Sequence, residues 1–327
     1  MLRSASGLEG GRRALLFGVL TALSATSLGA ADPPAFVRDL DLIYHKEGGY
    51  ALTMDRIAPA AGANGAAVLM LVSGGWVSRH AFLEPRVADQ LPRVLARAVL
   101  NPTELLARGY TLFLVVHGAQ PKFTIAEIHG QIGAAVRHVR HNAEGYGVDP
   151  ARIGVMGGSA GGHLALLQGT RGLAEENSRV RAVVAYFPPT DFLNFGAEGV
   201  FVDDAIRRVE PDGSNPFLQA LDLFDHDPER LRITRVTDEQ RLARHYRDIS
   251  PYYHVSADDP PTLLVHGDAD ERVPIQQSER ILERFEAAGV EHRLYRKTGG
   301  GHGWEPTQEE RAMVADWFDR HLAAVRR

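Results

Sequence analysis

The sequence predicts an α/β domain built on a mainly parallel β-sheet. Three features carry that prediction. Short, continuously apolar runs bounded by glycines recur along the chain, as suits strands buried on both faces. Segments of helical periodicity stand between them, and this alternation builds parallel sheets. A balance of 44% apolar and 24% charged residues over 327 residues is that of a globular chain able to bury a large core.

The elements follow in order. From Phe36 to Ile57 two extended stretches flank Gly48-Gly49 and predict a hairpin. Core strands are predicted at Ala67–Val72, Thr111–Val116, Arg152–Met156, Val180–Tyr186, Thr262–Val265 and, less apolar, His292–Tyr295. Ile125, Ile128, Ile132, Val136 and Val139 recur at spacings of three and four residues, which predicts an amphipathic helix between two of these strands. From about Leu193 to Ile249 the rhythm breaks. This stretch is charged, has no clear buried strand, and carries Phe195, Phe201, Phe217 and Phe224. Its length predicts a cap insertion (about 193–249) with short helices rather than slack loop. No repeat or low-complexity linker interrupts the chain.

The N-terminus has a different character. Arg3, Arg12 and Arg13 precede the apolar run Ala14–Ala30, and small residues follow at Gly29, Ala30 and Ala31. This predicts a signal peptide over residues 1–30 and an exported, periplasmic or secreted domain over 31–327. The Arg12-Arg13 pair leaves Sec and twin-arginine export both open. The apolar run is about 17 residues, at the short edge of what spans a bilayer, so no membrane span is expected after cleavage.

Composition removes several function classes. Lys+Arg 36 against Asp+Glu 41 gives a formal charge of −5, and no Lys/Arg stripe suggests a nucleic-acid partner. Cys is zero, which excludes disulfides, thiolate metal sites and Cys nucleophiles. No His/Asp/Glu set stands at metal-ligand spacing, so neither metal nor cofactor is expected. Oligomeric state is left open.

The chemistry gathers at turns that follow predicted strands. Gly157-Gly158-Ser159-Ala160-Gly161-Gly162-His163 follows Arg152–Met156 and opens a helical run. A nucleophile on a sharp strand-to-helix turn needs small residues two positions away on each side, and Gly157 and Gly161 meet that need. The helix N-terminus beside Ser159 favours developing negative charge. A serine hydroxyl also needs a base, and the base an orienting acid. Asp270 lies in the turn His266–Pro274 after one strand, with Asp268 as a competing acid. His302 lies in Gly299-Gly300-Gly301-His302-Gly303-Trp304 after the last strand. The early turn Val72-Ser73-Gly74-Gly75-Trp76 and the residue after the nucleophile, Ala160, are the expected sources of two backbone donors for an oxyanion. Either Gly74 or Gly75 can serve with Ala160.

These motifs resemble those of α/β-hydrolases of the esterase/lipase type, in particular the feruloyl- and acetylxylan-esterase-like carboxylesterases. The resemblance rests on YGVDPARIGVMGGSAGGHLAL, SPYYHVSADDPPTLLVHGDADERVPIQQSERI and GGGHGW, and runs firmly from Gly109 to Trp304. It implies an α/β-hydrolase fold, a sheet of about eight strands with helices on both faces. It also implies Ser159 as nucleophile, Asp270 as acid and His302 as base. Two departures bear on the site. The early loop of such enzymes usually reads His-Gly-Gly-Gly-Trp, where this chain has Val72-Ser73-Gly74-Gly75-Trp76. The aspartate-tyrosine-arginine run that often follows the next strand is replaced by His117-Gly118-Ala119-Gln120.

The expected function is hydrolysis of carboxylic esters through an acyl-enzyme, on a short-acyl or carbohydrate-linked ester. Trp76, His117 and Trp304 are the candidate pocket residues, with packing as the competing reading for both tryptophans. A prolyl-oligopeptidase-type serine peptidase and a non-catalytic binding module on a hydrolase scaffold stay open as alternatives. A dienelactone hydrolase is excluded by the missing Cys.

Overall fold

Alternate residues of each central strand feed two separate cores, one on each face of the sheet. The computed structural model describes residues 36–84, 100–120, 122–172, 177–209, 221–227 and 232–324. Its strands in chain order are β1 (Phe36–Glu47), β2 (Tyr50–Pro59), β3 (Ala67–Leu71), β4 (Thr111–Val115), β5 (Ile153–Gly158), β6 (Ala182–Tyr186), β7 (Phe224–Asp227), β8 (Arg232–Arg235), β9 (Thr262–Gly267) and β10 (His292–Lys297). Its helices are α1 (Thr103–Ala107), α2 (Ile125–His141), α3 (Ala160–Arg171), α4 (Val202–Val209), α5 (Glu239–Ile249), α6 (Gln276–Ala288) and α7 (Gln308–His321). Eight strands form one sheet in the order β1-β2-β4-β3-β5-β6-β9-β10. From β4 to β10 every neighbouring pair is parallel, while β2 runs antiparallel to β1 and β4.

Leu69, Leu71, Phe113, Val115, Val155, Val183 and Leu264 face one core, where Ile128 and Ile132 of α2, Leu164 of α3 and Phe285 of α6 close over them. Val68, Met70, Leu112, Leu114, Val184, Leu263 and Val265 face the other, covered by Leu105 of α1 and Val314 and Phe318 of α7. Each such side chain contributes about 1.5–3 kcal/mol when fully buried. Burial on both faces is why these strands are continuously apolar. Helix α2 presents Ile125, Ile128, Ile132, Val136 and Val139 to the core, and a capping box between Thr124 and Glu127 sets its start.

The hairpin β1–β2 turns at Gly48 and Gly49, both with positive φ. The segment 193–249, in its described parts, contains α4 and α5 and also the small antiparallel pair β7–β8. That pair was not expected from the sequence, because it stands apart from the main sheet and its strands, FDHD and RITR, carry no apolar run. Expected residues 1–30 of the signal peptide lie outside the described residues. Among the described residues no helix is long and apolar enough to cross a membrane. Because β3 to β10 of the main sheet run parallel, the turns that follow them gather along one end of the sheet, where α/β folds place ligands.

Candidate active site

Strand β5 ends at Gly158 and α3 begins at Ala160, so Ser159 alone makes the turn between them. It does so at φ 54° and ψ −123°, a backbone region that non-glycine residues rarely occupy. The neighbours hold it there. A Cβ on Gly157 would press into the Gly161 carbonyl, and one on Gly161 would sit 2.8 Å from the Leu71 carbonyl oxygen. The Ser159 N–H donates to Tyr186 O at 2.9 Å, which ties the turn to β6. The small residues of the motif are therefore needed for close backbone approach.

The turns after β9 and β10 are stitched together. Ala269 N–H donates to Gly300 O at 3.0 Å, Asp268 N–H to Lys297 O at 3.1 Å, and Gly299 N–H to Asp268 Oδ1 at 2.6 Å. Gly267 and Gly300 meet backbone to backbone, leaving no room for a Cβ on Gly267. The glycines around His302 thus serve the approach of the two turns, and Asp268 belongs to their scaffold. The result brings Asp270 to His302: His302 Nδ1 lies 2.8 Å from Asp270 Oδ2, and His302 Nε2 lies 2.9 Å from Ser159 Oγ. A carboxylate only accepts, so Nδ1 carries the hydrogen and Nε2 presents its lone pair to the serine hydroxyl.

Asp270 is fully enclosed. Burial by itself would raise its pKa, but hydrogen bonds from His266, His302 and the Val273 N–H outweigh it and hold the carboxyl well below the usual carboxylate range. Its Oδ1 also accepts from Arg272 N–H at 2.9 Å and Val273 N–H at 3.0 Å. Sequence reading assigned no role to His266. This buried imidazole accepts from Ser278 Oγ at 2.7 Å and shares its Nε2–H between Val273 O at 2.9 Å and Asp270 Oδ2 at 3.5 Å.

The early turn follows β3, the parallel neighbour of β5. Gly75 and Trp76 both have φ of 58°, as the central residues of a type I′ turn do. Gly74 N–H donates to Val77 O at 2.9 Å, and Val77 N–H to Gly74 O at 3.1 Å. Of the two glycines left open by the sequence, Gly74 has its donor consumed inside the turn, while among the described residues no acceptor meets the N–H groups of Ser73, Gly75 and Trp76. Ala160 is the first residue of α3, where the helix supplies no acceptor for its N–H.

The pocket residues fare differently. Trp304 is half-buried, with its ring 6.0 Å from Phe187 and its indole N–H 3.3 Å from Glu310 Oε2. Phe187 in turn lies 4.6 Å from the His302 ring. Sequence reading missed Phe187, although it stands directly after β6 at the ligand end of the sheet. For Trp76 the packing reading fits: the residue is 5% exposed, and its indole packs edge-on to Phe192 and donates to His163 Nδ1 at 3.0 Å. Its side chain serves packing and anchoring. His117 is also buried. Its Nδ1–H donates to Gly118 O, its Nε2 has no partner among the described residues, and burial pushes its pKa down to about 4 against that bond. It makes no hydrogen bond or ring contact with Ser159, Asp270 or His302. Among the described residues no His/Asp/Glu group could hold a metal ion.

A serine, an imidazole and a carboxylate linked in series, beside unpaired backbone donors, can deprotonate a hydroxyl as it attacks a carbonyl. Comparison with known proteins agrees with that chemistry. The BD-FAE family matches residues 59–285 of the chain. The probable carboxylic ester hydrolase LipM of Mycobacterium tuberculosis is 27% identical over 203 residues, 59% of this chain and 41% of that protein. Esterase LipC of the same organism is 27% identical over 257 residues, 73% of this chain and 53% of that protein. The chain thus spans about half the length of these curated relatives. A solved structure, a truncated form of a carbohydrate esterase from gut microbiota, aligns with a TM-score of 0.66 at 21% identity, covering 90% of this chain and 99% of that one. At that identity the likeness is one of fold.

Proposed function

The chain belongs to the BD-FAE family of α/β-hydrolase-fold esterases, and from that premise we propose that it hydrolyses carboxylic esters through an acyl-enzyme on Ser159. The observation that carries this reading is the unbroken series Ser159 Oγ, His302, Asp270, with links of 2.9 and 2.8 Å. His302 Nε2 takes the hydroxyl proton as Oγ attacks the ester carbonyl. Asp270, kept ionised by its hydrogen bonds, holds the Nδ1–H tautomer and stabilises the imidazolium. The Ala160 N–H and one N–H of the Gly75-Trp76 turn receive the oxyanion. His302 then protonates the leaving alcohol, activates water, and the acid half departs.

Short acyl groups fit this account. Phe187 stands against His302, and Trp304 stands against Phe187, so aromatic bulk crowds the base. A sugar-linked acyl ester is the substrate class that the carbohydrate-esterase likeness suggests. Hydrolysis of p-nitrophenyl acetate tests the reaction, and a series of p-nitrophenyl esters tests the acyl preference. Rates are expected to be highest with acetyl to butyryl and to fall with longer chains. A maximum at long chains would refute the short-acyl reading. A matched aminoacyl amide, cleaved faster than the ester, would point instead to a peptidase.

A further inference from the structure

His163 sits one helical turn after Ser159 and is completely buried. Three parts of the chain meet on its ring. Trp76 of the early turn donates its indole N–H to Nδ1 at 3.0 Å. Nδ1 is therefore the bare nitrogen, and Nε2 carries the hydrogen that it donates to Ile249 O at 2.6 Å, at the end of the segment 193–249. Phe192, which follows β6, stacks on the ring at 5.0 Å and 22°, while Trp76 meets both rings edge-on. Burial keeps the imidazole neutral, with its pKa pushed down to about 4 against the Ile249 bond, so the acceptor at Nδ1 persists at ordinary pH.

Trp76 needs such an anchor. It is a bulky residue at φ 58°, and backbone in that region costs about 1–3 kcal/mol unless its surroundings hold it. The internal Gly74–Val77 bonds close the turn but do not tie it to α3. The indole bond does, because His163 lies on that helix, which begins beside the nucleophile.

We propose that His163 is a positioning residue for the oxyanion hole: by accepting the Trp76 indole N–H it holds the Gly75-Trp76 turn, and hence the early-loop donor, in register with Ala160. This rests on the acyl-enzyme reading of Ser159. The role belongs to the Nδ1 acceptor, and the Nε2 bond to Ile249 serves to orient the ring.

Two replacements separate the bonds. His163→Asn keeps an acceptor close to the Nδ1 position and loses the reach to Ile249. His163→Gln keeps the reach to Ile249 and loses the acceptor facing Trp76. Trp76→Phe removes the indole N–H and keeps an aromatic ring. With p-nitrophenyl acetate, Trp76→Phe and His163→Gln are expected to lower kcat about 10- to 100-fold with KM within about twofold, the mark of a donor misplaced in the transition state. His163→Asn should recover most of that loss. Inhibition by a trifluoromethyl ketone, which forms the oxyanion on Ser159, should weaken in proportion to kcat/KM across the set. Combining Trp76→Phe with His163→Gln should cost little more than either alone.

Thermal unfolding of each variant identifies any that fail to fold, and the comparison uses the folded ones. Full activity in folded Trp76→Phe would overturn the proposal. So would recovery by His163→Gln instead of His163→Asn, which would place the role in the Ile249 bond. These outcomes are distinct from failure of the underlying reading, which would appear as a wild-type protein that neither cleaves the ester nor takes a fluorophosphonate on Ser159.

Discussion

The turn at Ser159 and the turn at Gly75-Trp76 follow the neighbouring parallel strands β5 and β3, and each places a non-glycine residue at positive φ, 54° and 58°. They are held by different means. The Ser159 turn is wedged by backbone alone: Gly157 against Gly161, Gly161 against Leu71, and the Ser159 N–H on Tyr186 O. The early turn is closed by its own backbone pair but located by a side chain, the Trp76 indole on His163. Backbone wedging leaves a nucleophile no freedom and tolerates almost no substitution. Side-chain anchoring leaves a donor adjustable, so that graded changes in the anchor give graded changes in rate.

The comparison can be broken from outside both turns first. Asp270→Asn leaves each turn intact but reverses the hydrogen-bonding preference at His302 Nδ1. Its kcat is expected to fall about 10⁴-fold with little change in melting temperature. A loss below tenfold would remove Asp270 from the account. Breaking the Ser159 turn comes next. Gly157→Ala forces a methyl into the Gly161 carbonyl, and a stability loss of about 1–3 kcal/mol by denaturant melt should accompany a loss of activity on the order of 10³-fold. If Gly157→Ala behaved like wild type, the wedge would be irrelevant. The early turn should respond more mildly, by the 10- to 100-fold effects expected for Trp76→Phe and His163→Gln.

The smallest effect sharpens the contrast through pH. His163 and His117 are buried neutral, each with a pKa pushed down to about 4 by burial. The unfolded chain binds those protons near pH 6.5, so between about 6.5 and 4 it holds more protons than the folded chain. Stability is therefore complete above pH 6.5 and falls as the pH drops toward 4, by up to about 1.4 kcal/mol per pH unit for each group. Denaturant melts at pH 7 and 4.5 should show a smaller difference in His163→Asn than in wild type. Equal differences would mean that His163 is not the neutral, buried anchor described.

Much of this was legible in the chain, for physical reasons. The strands at Ala67, Thr111 and Thr262 could be read because burial on both faces demands continuous apolar runs. Ser159 could be read because a strand-to-helix nucleophile turn admits so few residues beside it. The misses share a different cause. Trp76 stayed open between pocket wall and packing, because whether an indole faces a cavity or a core depends on which distant groups accept its N–H, here an imidazole from another element. Gly74 and Gly75 were interchangeable in sequence, and only the Gly74–Val77 pairing tells them apart. His266 and Phe187 act through contacts across the sheet, His266 on Asp270 and Phe187 on His302, which no local pattern records. The pair β7–β8 lacks the apolar signal because it does not join the main sheet.

The central claim is that Ser159, activated through His302, is the nucleophile of an ester hydrolase. Its most direct test is p-nitrophenyl acetate hydrolysis by the wild-type protein and by Ser159→Ala, with intact-mass analysis after exposure to a fluorophosphonate. Turnover should fall by roughly four to six orders of magnitude in the variant, toward background. A single fluorophosphonate adduct is expected in the wild type, mapped to Ser159 and missing from the variant. Equal hydrolysis by the two proteins, or an adduct on a residue other than Ser159, would contradict the claim.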